Sequence, residues 1–177
     1  MSRILVSGLL NIETTLKIDG FPLDYFPATY TFGGINTSVS GVGFNIAKAL
    51  RTLGDEVVLT ALIGRDHESE WVMSDLAQLG INTDHIVQNM DKLPRSAVLY
   101  DPQGKRQIHL DLKAIQDTRY PTDRFTAALQ ENVDLAVMST VNFNRYLLEA
   151  VKAAGIPIAI DVQAISDIDD EYNREYI

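Results

Sequence analysis

Short apolar runs alternate along the chain with longer segments whose apolar residues recur every three or four positions. Ile4-Leu5-Val6-Ser7-Gly8 is an apolar run closed by glycine and predicts a buried strand. Asn11 and Glu13 emerge just past its end, where ligands bind in open α/β sheets; a solvated loop is the alternative. Thr14 to Asp19 alternates and reads as a half-exposed strand. A turn-rich aromatic connection, Gly20 to Pro27, leads to a second exposed strand over Ala28 to Phe32 and a flexible turn at Gly33-Gly34. These pieces predict a small antiparallel flap. Its Tyr25, Phe26, Tyr30 and Phe32 need a surface to cover, either the core beneath or a partner subunit.

The densest signal runs from Ser40 to Gly64. A glycine-rich turn opens a helix in which Ile46, Leu50 and Leu53 share one face, and Gly54 suits its left-handed cap. Val57 to Ile63 is a near-continuous apolar run, the pattern of a strand covered on both faces. Gly41 and Gly43 permit close backbone approach. The helix start adds free N–H groups and a positive dipole end, and Asn45 adds a donor and an acceptor. Together they predict a cradle for a polar small molecule. Beyond Gly64, an acid-rich start and Trp71, Val72, Leu76 and Leu79 predict a helix ended by Gly80, then an exposed segment over Ile81 to Val87. Ser96 to Tyr100 and Lys105 to Asp111 flank Asp101-Pro102-Gln103-Gly104, a hairpin turn. Thr122 to Glu131 and Arg145 to Ala154 read as helices, and Leu135 to Met138 and Ile156 to Asp161 as strands, with Asp161 at a carboxyl end. Such alternation implies a mainly parallel sheet with right-handed crossovers, interrupted by hairpins that form a lid. The acidic tail, Ser166 to Ile177, is expected to be a solvated helix or a disordered end.

Composition narrows the function classes. The 177 residues suit one domain or part of a larger one. A formal charge of −9 argues against a general nucleic-acid or membrane surface, without excluding an anionic substrate at a local site. With no cysteine, disulfides and thiolate metal sites are excluded. No apolar stretch approaches a membrane span, and the N-terminus runs straight into a strand pattern, so a cytoplasmic protein is the expectation. His67, His85 and His109 lack metal-ligand spacing and read as surface or capping residues, so no metal site is assigned. Read as a dinucleotide loop, Gly41-Val42-Gly43 has Ile46 at the third glycine position and no strand close before it. Ser7 and Ser139 lack a nucleophile elbow. Lys105, Arg106 and Lys113 read as a solvated hairpin face.

Gly41, Gly43, Asn45, Ala47, Gly54 and Gly64 match the spacing of the first signature of ribokinase-like, PfkB-type carbohydrate kinases, with Ser40 where alanine or glycine is usual. The element order agrees, as does the segment Leu76 to Thr83, and the chain to about Asp161 resembles the N-terminal portion of that family. The resemblance implies a three-layer α/β/α fold with a mainly parallel central sheet and a small β-sheet lid over about residues 14–40 and 95–112. Residues 1–177 then form the N-terminal part of one kinase domain, with the C-terminal half absent.

By the same resemblance, Asn11-Ile12-Glu13 stands for an Asn-x-Asp motif that binds substrate hydroxyls, with a glutamate replacing the aspartate. Gly41, Gly43 and Asn45 match substrate-binding positions. Ser96, or Arg95 beside it, and Asp161 are expected as further substrate or phosphate contacts. Where Ser69 stands the family often has glycine. The family's catalytic aspartate in Gly-Ala-Gly-Asp, its ATP pocket and its magnesium-linked Asn-x-x-Glu have no counterpart in the sequence, so no catalytic residue is assigned. The implied activity is ATP- and Mg²⁺-dependent phosphorylation of a sugar or nucleoside hydroxyl by the parent protein, this chain supplying the substrate-binding half and being inactive alone. The alternative is a non-catalytic sugar- or nucleoside-binding or dimerisation remnant. A homodimer through the lid is expected from the exposed strands and aromatics.

Overall fold

The structure, a computed structural model, describes residues 1–162 and 171–176. Of the acidic tail, residues 166–170 and 177 lie outside the described residues, and 171–176 form turns. In chain order the elements are β1 (Arg3–Ser7), β2 (Asn11–Lys17), β3 (Ile35–Ser40), α1 (Val42–Leu53), β4 (Glu56–Ile63), α2 (His67–Gln78), β5 (Ile86–Gln88), β6 (Arg95–Tyr100), β7 (Arg106–Asp111), α3 (Thr122–Leu129), β8 (Leu135–Ser139), α4 (Asn142–Arg145), α5 (Leu148–Ala153) and β9 (Ile158–Asp161).

Five strands form the central sheet in the order β5-β4-β1-β8-β9. Every pairing in it is parallel. Side chains on a strand alternate between faces, and β1 divides its residues accordingly. Leu5 enters an apolar cluster with Val58 and Leu62 of β4, Phe125 of α3, Phe143 of α4 and Val151 of α5. Ile4 and Val6 enter the opposite cluster, with Leu59 and Ile63 of β4, Phe44 and Ala47 of α1, and Val72 and Leu76 of α2. Each large side chain so buried contributes about 1.5–3 kcal/mol. The sheet is therefore covered on both faces, and the three-layer α/β/α architecture follows.

The second sheet has the order β3-β2-β6-β7. It is mixed: β2 runs antiparallel to β3 and parallel to β6, and β6 runs antiparallel to β7. This is the lid, and it starts at Asn11 rather than Thr14. Asn11 and Glu13 therefore lie on a strand, not in a loop. The second flap strand is Ile35–Ser40, and 28–32 carries no strand. Tyr25 and Phe32 are 92% and 95% exposed, and Phe26 and Tyr30 are likewise exposed, so the core beneath does not take them. The hairpin expected at Asp101 to Gly104 forms because the Asp101 carboxylate accepts from the Gln103 and Lys105 N–H groups, at 3.0 and 2.8 Å. Ile86–Gln88, within and just past the segment read as exposed, forms the edge strand β5 on β4.

From β1 the chain builds outward to β4 and β5, then returns to the other side of β1 for β8 and β9. The connections thus change direction between β1 and β8, the place where α/β sheets open a crevice. One side chain ties the two strand ends there. Asn144, fully buried, donates from Nδ2 to the Ser7 and Ser139 carbonyls at 2.9 and 2.8 Å, while its Oδ1 accepts from Ser7 Oγ at 2.5 Å. Asn144→Ala removes all three bonds and leaves the buried Ser7 hydroxyl without its acceptor, although the Ser139 carbonyl keeps the Val141 N–H, so it is expected to destabilise the fold by about 3 kcal/mol. Urea denaturation checks this, and a loss below about 1 kcal/mol shows that solvent or repacking replaces the clip.

Candidate functional site

The root of the lid brings the predicted residues together. Asn11 pairs across the ladder with Ser40, and Glu13 pairs with Ser96. Period-two alternation places Asn11, Glu13, Ser40 and Ser96 on one face of the lid. Asn11 Nδ2 donates to Ser96 Oγ at 3.0 Å, and Ser96 Oγ stands 3.5 Å from Glu13 Oε2. Asn45, in the first turn of α1, donates from Nδ2 to Ser40 Oγ at 3.4 Å. Three lid strands and one helix start therefore converge on one polar strip. Asn11 is only 3% exposed, and its Oδ1 has no hydrogen-bond partner. A buried, unpaired carbonyl oxygen costs about 1–3 kcal/mol, so this acceptor stands out as one that the described residues leave unsatisfied.

Glycines make that convergence possible. Gly43 N–H donates to the Leu9 carbonyl at 2.9 Å, pinning α1 to the segment between β1 and β2. A Cβ on Gly43 would meet the Gly8 carbonyl carbon at 2.8 Å, and a Cβ on Gly41 would meet the Leu9 oxygen at 2.4 Å. Gly41 also has φ +102°, a conformation that L side chains rarely adopt. On its other side Gly8 lies against Ser139, whose Oγ would be 2.8 Å from a Cβ there. The hydroxyls of Ser139 and Thr140 are buried without hydrogen-bond partners. The sequence offered no elbow or histidine partner to single out Ser139, and Thr140 and Asn144 carried no signal. Only the sheet order reveals all three at the crevice.

Other predicted residues separate. Asp161 ends β9 opposite Ser139, one strand beyond β8, away from the lid strip in sheet order. Arg95 pairs with Glu68 of α2 and belongs to the reverse face of the lid by alternation. Ser69, where glycine is usual, is buried and donates from Oγ to the capping Asp66 carboxylate at 2.8 Å. Burial pushes the Asp66 carboxyl up, but bonds from Ser69 and from the Leu93 N–H outweigh it and hold the group below its usual value. His67 sits on the surface beside Glu70, whereas His85 is largely buried against Glu131 at 2.5 Å. No helix among the described residues is long and apolar enough to cross a membrane.

This architecture recurs in solved kinases. A microbiome-derived acarbose kinase, labelled with selenomethionine, superposes with a TM-score of 0.84 at 20% identity, covering 99% of this chain and 57% of that one. A ribokinase from Giardia lamblia gives 0.79 at 17% identity, covering 98% and 54%. Arabidopsis thaliana ribokinase, complexed with ribose and ATP, gives 0.75 at 19% identity, covering 94% and 55%. The chain thus spans a little over half the length of the structures it matches. No curated protein matches it in sequence. The family model described as pfkB family carbohydrate kinase matches residues 1–164, and the chain belongs to that family.

Gly41→Ala combines a disfavoured backbone conformation with a clash against main chain. It is expected to destabilise the protein by about 2–4 kcal/mol, read by thermal or urea denaturation. A change within about 0.5 kcal/mol means that the Leu9 segment yields freely.

Proposed function

We propose that this chain is the substrate-holding part of a kinase that phosphorylates a hydroxyl of a sugar or nucleoside. The open, buried Asn11 Oδ1 carries the reading. A substrate hydroxyl donates to that oxygen. The Glu13 carboxylate, beside Ser96, accepts from neighbouring hydroxyls, and Asn45 offers both a donor and an acceptor. Gly41 and Gly43 let the start of α1 pack on the Gly8–Leu9 main chain, which sets Asn45 at the strip, and their own main chain is assigned to face the ring. Ser96 supports Asn11 from behind, and Asp161 is a more distant contact at the carboxyl edge of the sheet. Ribose and inosine, bound in related solved structures, are substrates of the class such an acceptor-rich strip suits.

ATP and Mg²⁺ are assigned to the complete enzyme. Among the described residues no group of three or more acids or histidines could hold a metal ion. The sequence has neither Gly-Ala-Gly-Asp nor Asn-x-x-Glu. The residues present do not fit a phosphoryl-transfer centre, and no step through ATP is derived from them. Recognition without turnover is the alternative role of this chain. The exposed aromatics between Leu23 and Phe32 suit burial against a second lid, which supports a homodimer.

Asn11→Ala and Asn45→Ala are each expected to abolish the thermal protection given by the best ligand from a panel of sugars and nucleosides. The chain mixed with ATP, Mg²⁺ and that ligand is expected to produce no ADP. Protection surviving both substitutions removes the assigned site, and sustained ADP production removes the division of labour. Light scattering is expected to give twice the chain mass at high protein concentration, and a monomer there counts against pairing through the lid.

A further inference from the structure

The reverse face of the lid carries a groove that shares only Ser96 with the hydroxyl-binding strip. It lies between the lid and the start of α2, with a volume of about 580 Å³, within the range of small-molecule sites. Thr14, Thr37, Ala97 and His109 line it from the lid, and Trp71 lines it from α2. Cross-strand pairing places Thr37, Thr14, Ala97 and His109 in one row. Alternation along β2 sets Thr14 on the face opposite Asn11 and Glu13. Trp71 is 39% exposed, and its indole stacks on no other ring among the described residues.

The charges around the groove are already matched. Arg95 pairs with Glu68, Asp111 with Lys113, and His67 with Glu70. Among the described residues that line the groove, no guanidinium is left uncommitted to attract an anion and no carboxylate to attract a cation. What remains is an indole face, a small apolar floor at Ala97, the Thr14 and Thr37 hydroxyls 3.2 Å apart, and the His109 imidazole. An aromatic plane beside a few directional hydrogen-bonding groups recognises a neutral ring with an apolar face and a hydroxylated rim. We infer that this groove is a second binding site for a neutral saccharide, which stacks on Trp71 and bonds through Thr14, Thr37 and His109. The inference does not depend on the role of the Asn11 strip.

Trp71 is the single tryptophan of the chain, so its emission reports on this groove directly. Titration with maltose is expected to change that emission saturably. The change persists in Glu13→Ala, whose side chain lies on the opposite face and outside the groove lining. The apparent dissociation constant rises about five-fold in His109→Ala and in Thr14→Val, the effect of one lost hydrogen bond. A signal lost in Glu13→Ala assigns the binding to the other face and overturns the inference. So does a response to glucose 6-phosphate much tighter than to glucose, or to inosine but not maltose. Emission that follows protein concentration and ignores every sugar also overturns it and gives the face to a second copy of the chain.

Discussion

The main-chain contact between Gly8 and Gly43 sets the geometry on which the rest depends. Here the first turn of α1 rests on the end of β1 with no side chain between them. The Gly43 N–H bond to the Leu9 carbonyl fixes the same approach in direction. Any Cβ at these positions lifts the helix by a few tenths of an ångström or more, and close-packed interiors transmit such shifts rather than absorb them. Lifting α1 carries Asn45 away from Ser40, and with it the link between helix and lid. On the far side of Gly8, the Asn144 clip holds β8 against β1, so the crevice has one wall set by glycines and another set by a buried amide.

The lid is a sheet with two chemically different faces because its strands alternate at period two. One face gathers Asn11, Glu13, Ser40 and Ser96 near the root, where α1 approaches. The other roots Ile12 and Val39 in the apolar cluster above α1 and α2, then lifts clear of α2 beside Trp71. A single strand such as β2 thus anchors the lid with its even residues and presents polar groups with its odd ones. Arg95 shows the consequence. As a neighbour of Ser96 in sequence it looked like a partner in substrate contact, yet one position along a strand is a change of face, and it meets Glu68 instead.

The sequence made most of the scaffold legible. The apolar runs of β1, β4 and β8 and the glycine-bounded helix α1 declare themselves locally, since both their burial and their breaks are written in adjacent residues. The glycine and asparagine spacing pointed to the family and to the strip at Asn11, Glu13 and Asn45. What stayed hidden depends on pairing with distant chain. Ile35–Ser40 is mostly polar and exposed, and it becomes a strand only because β2 offers it a ladder. The aromatic run 28–32 has the stronger intrinsic strand preference and forms none. β5 is three residues long and exists as an addition to β4. Asn144 is one asparagine among several, and its role follows from a strand order that no local pattern encodes.

The unpaired atoms at the crevice are the other half of the same logic. Folding normally satisfies buried polar groups, and Asn144 shows that this chain can satisfy three with one side chain. Against that background the open Asn11 Oδ1 and the open Ser139 and Thr140 hydroxyls are a choice the fold does not need for stability. Apolar residues of similar size would remove the desolvation penalty at each. Stability surrendered at a site positioned by rigid strands is the physical ground on which the proposed binding role rests. Beside Asn11, the glycines let α1 pack on the Gly8–Leu9 main chain, and the Asn11 acceptor has no partner within the described residues. The proposed recognition therefore rests on geometry set by the strands and by α1, apart from any phosphoryl chemistry.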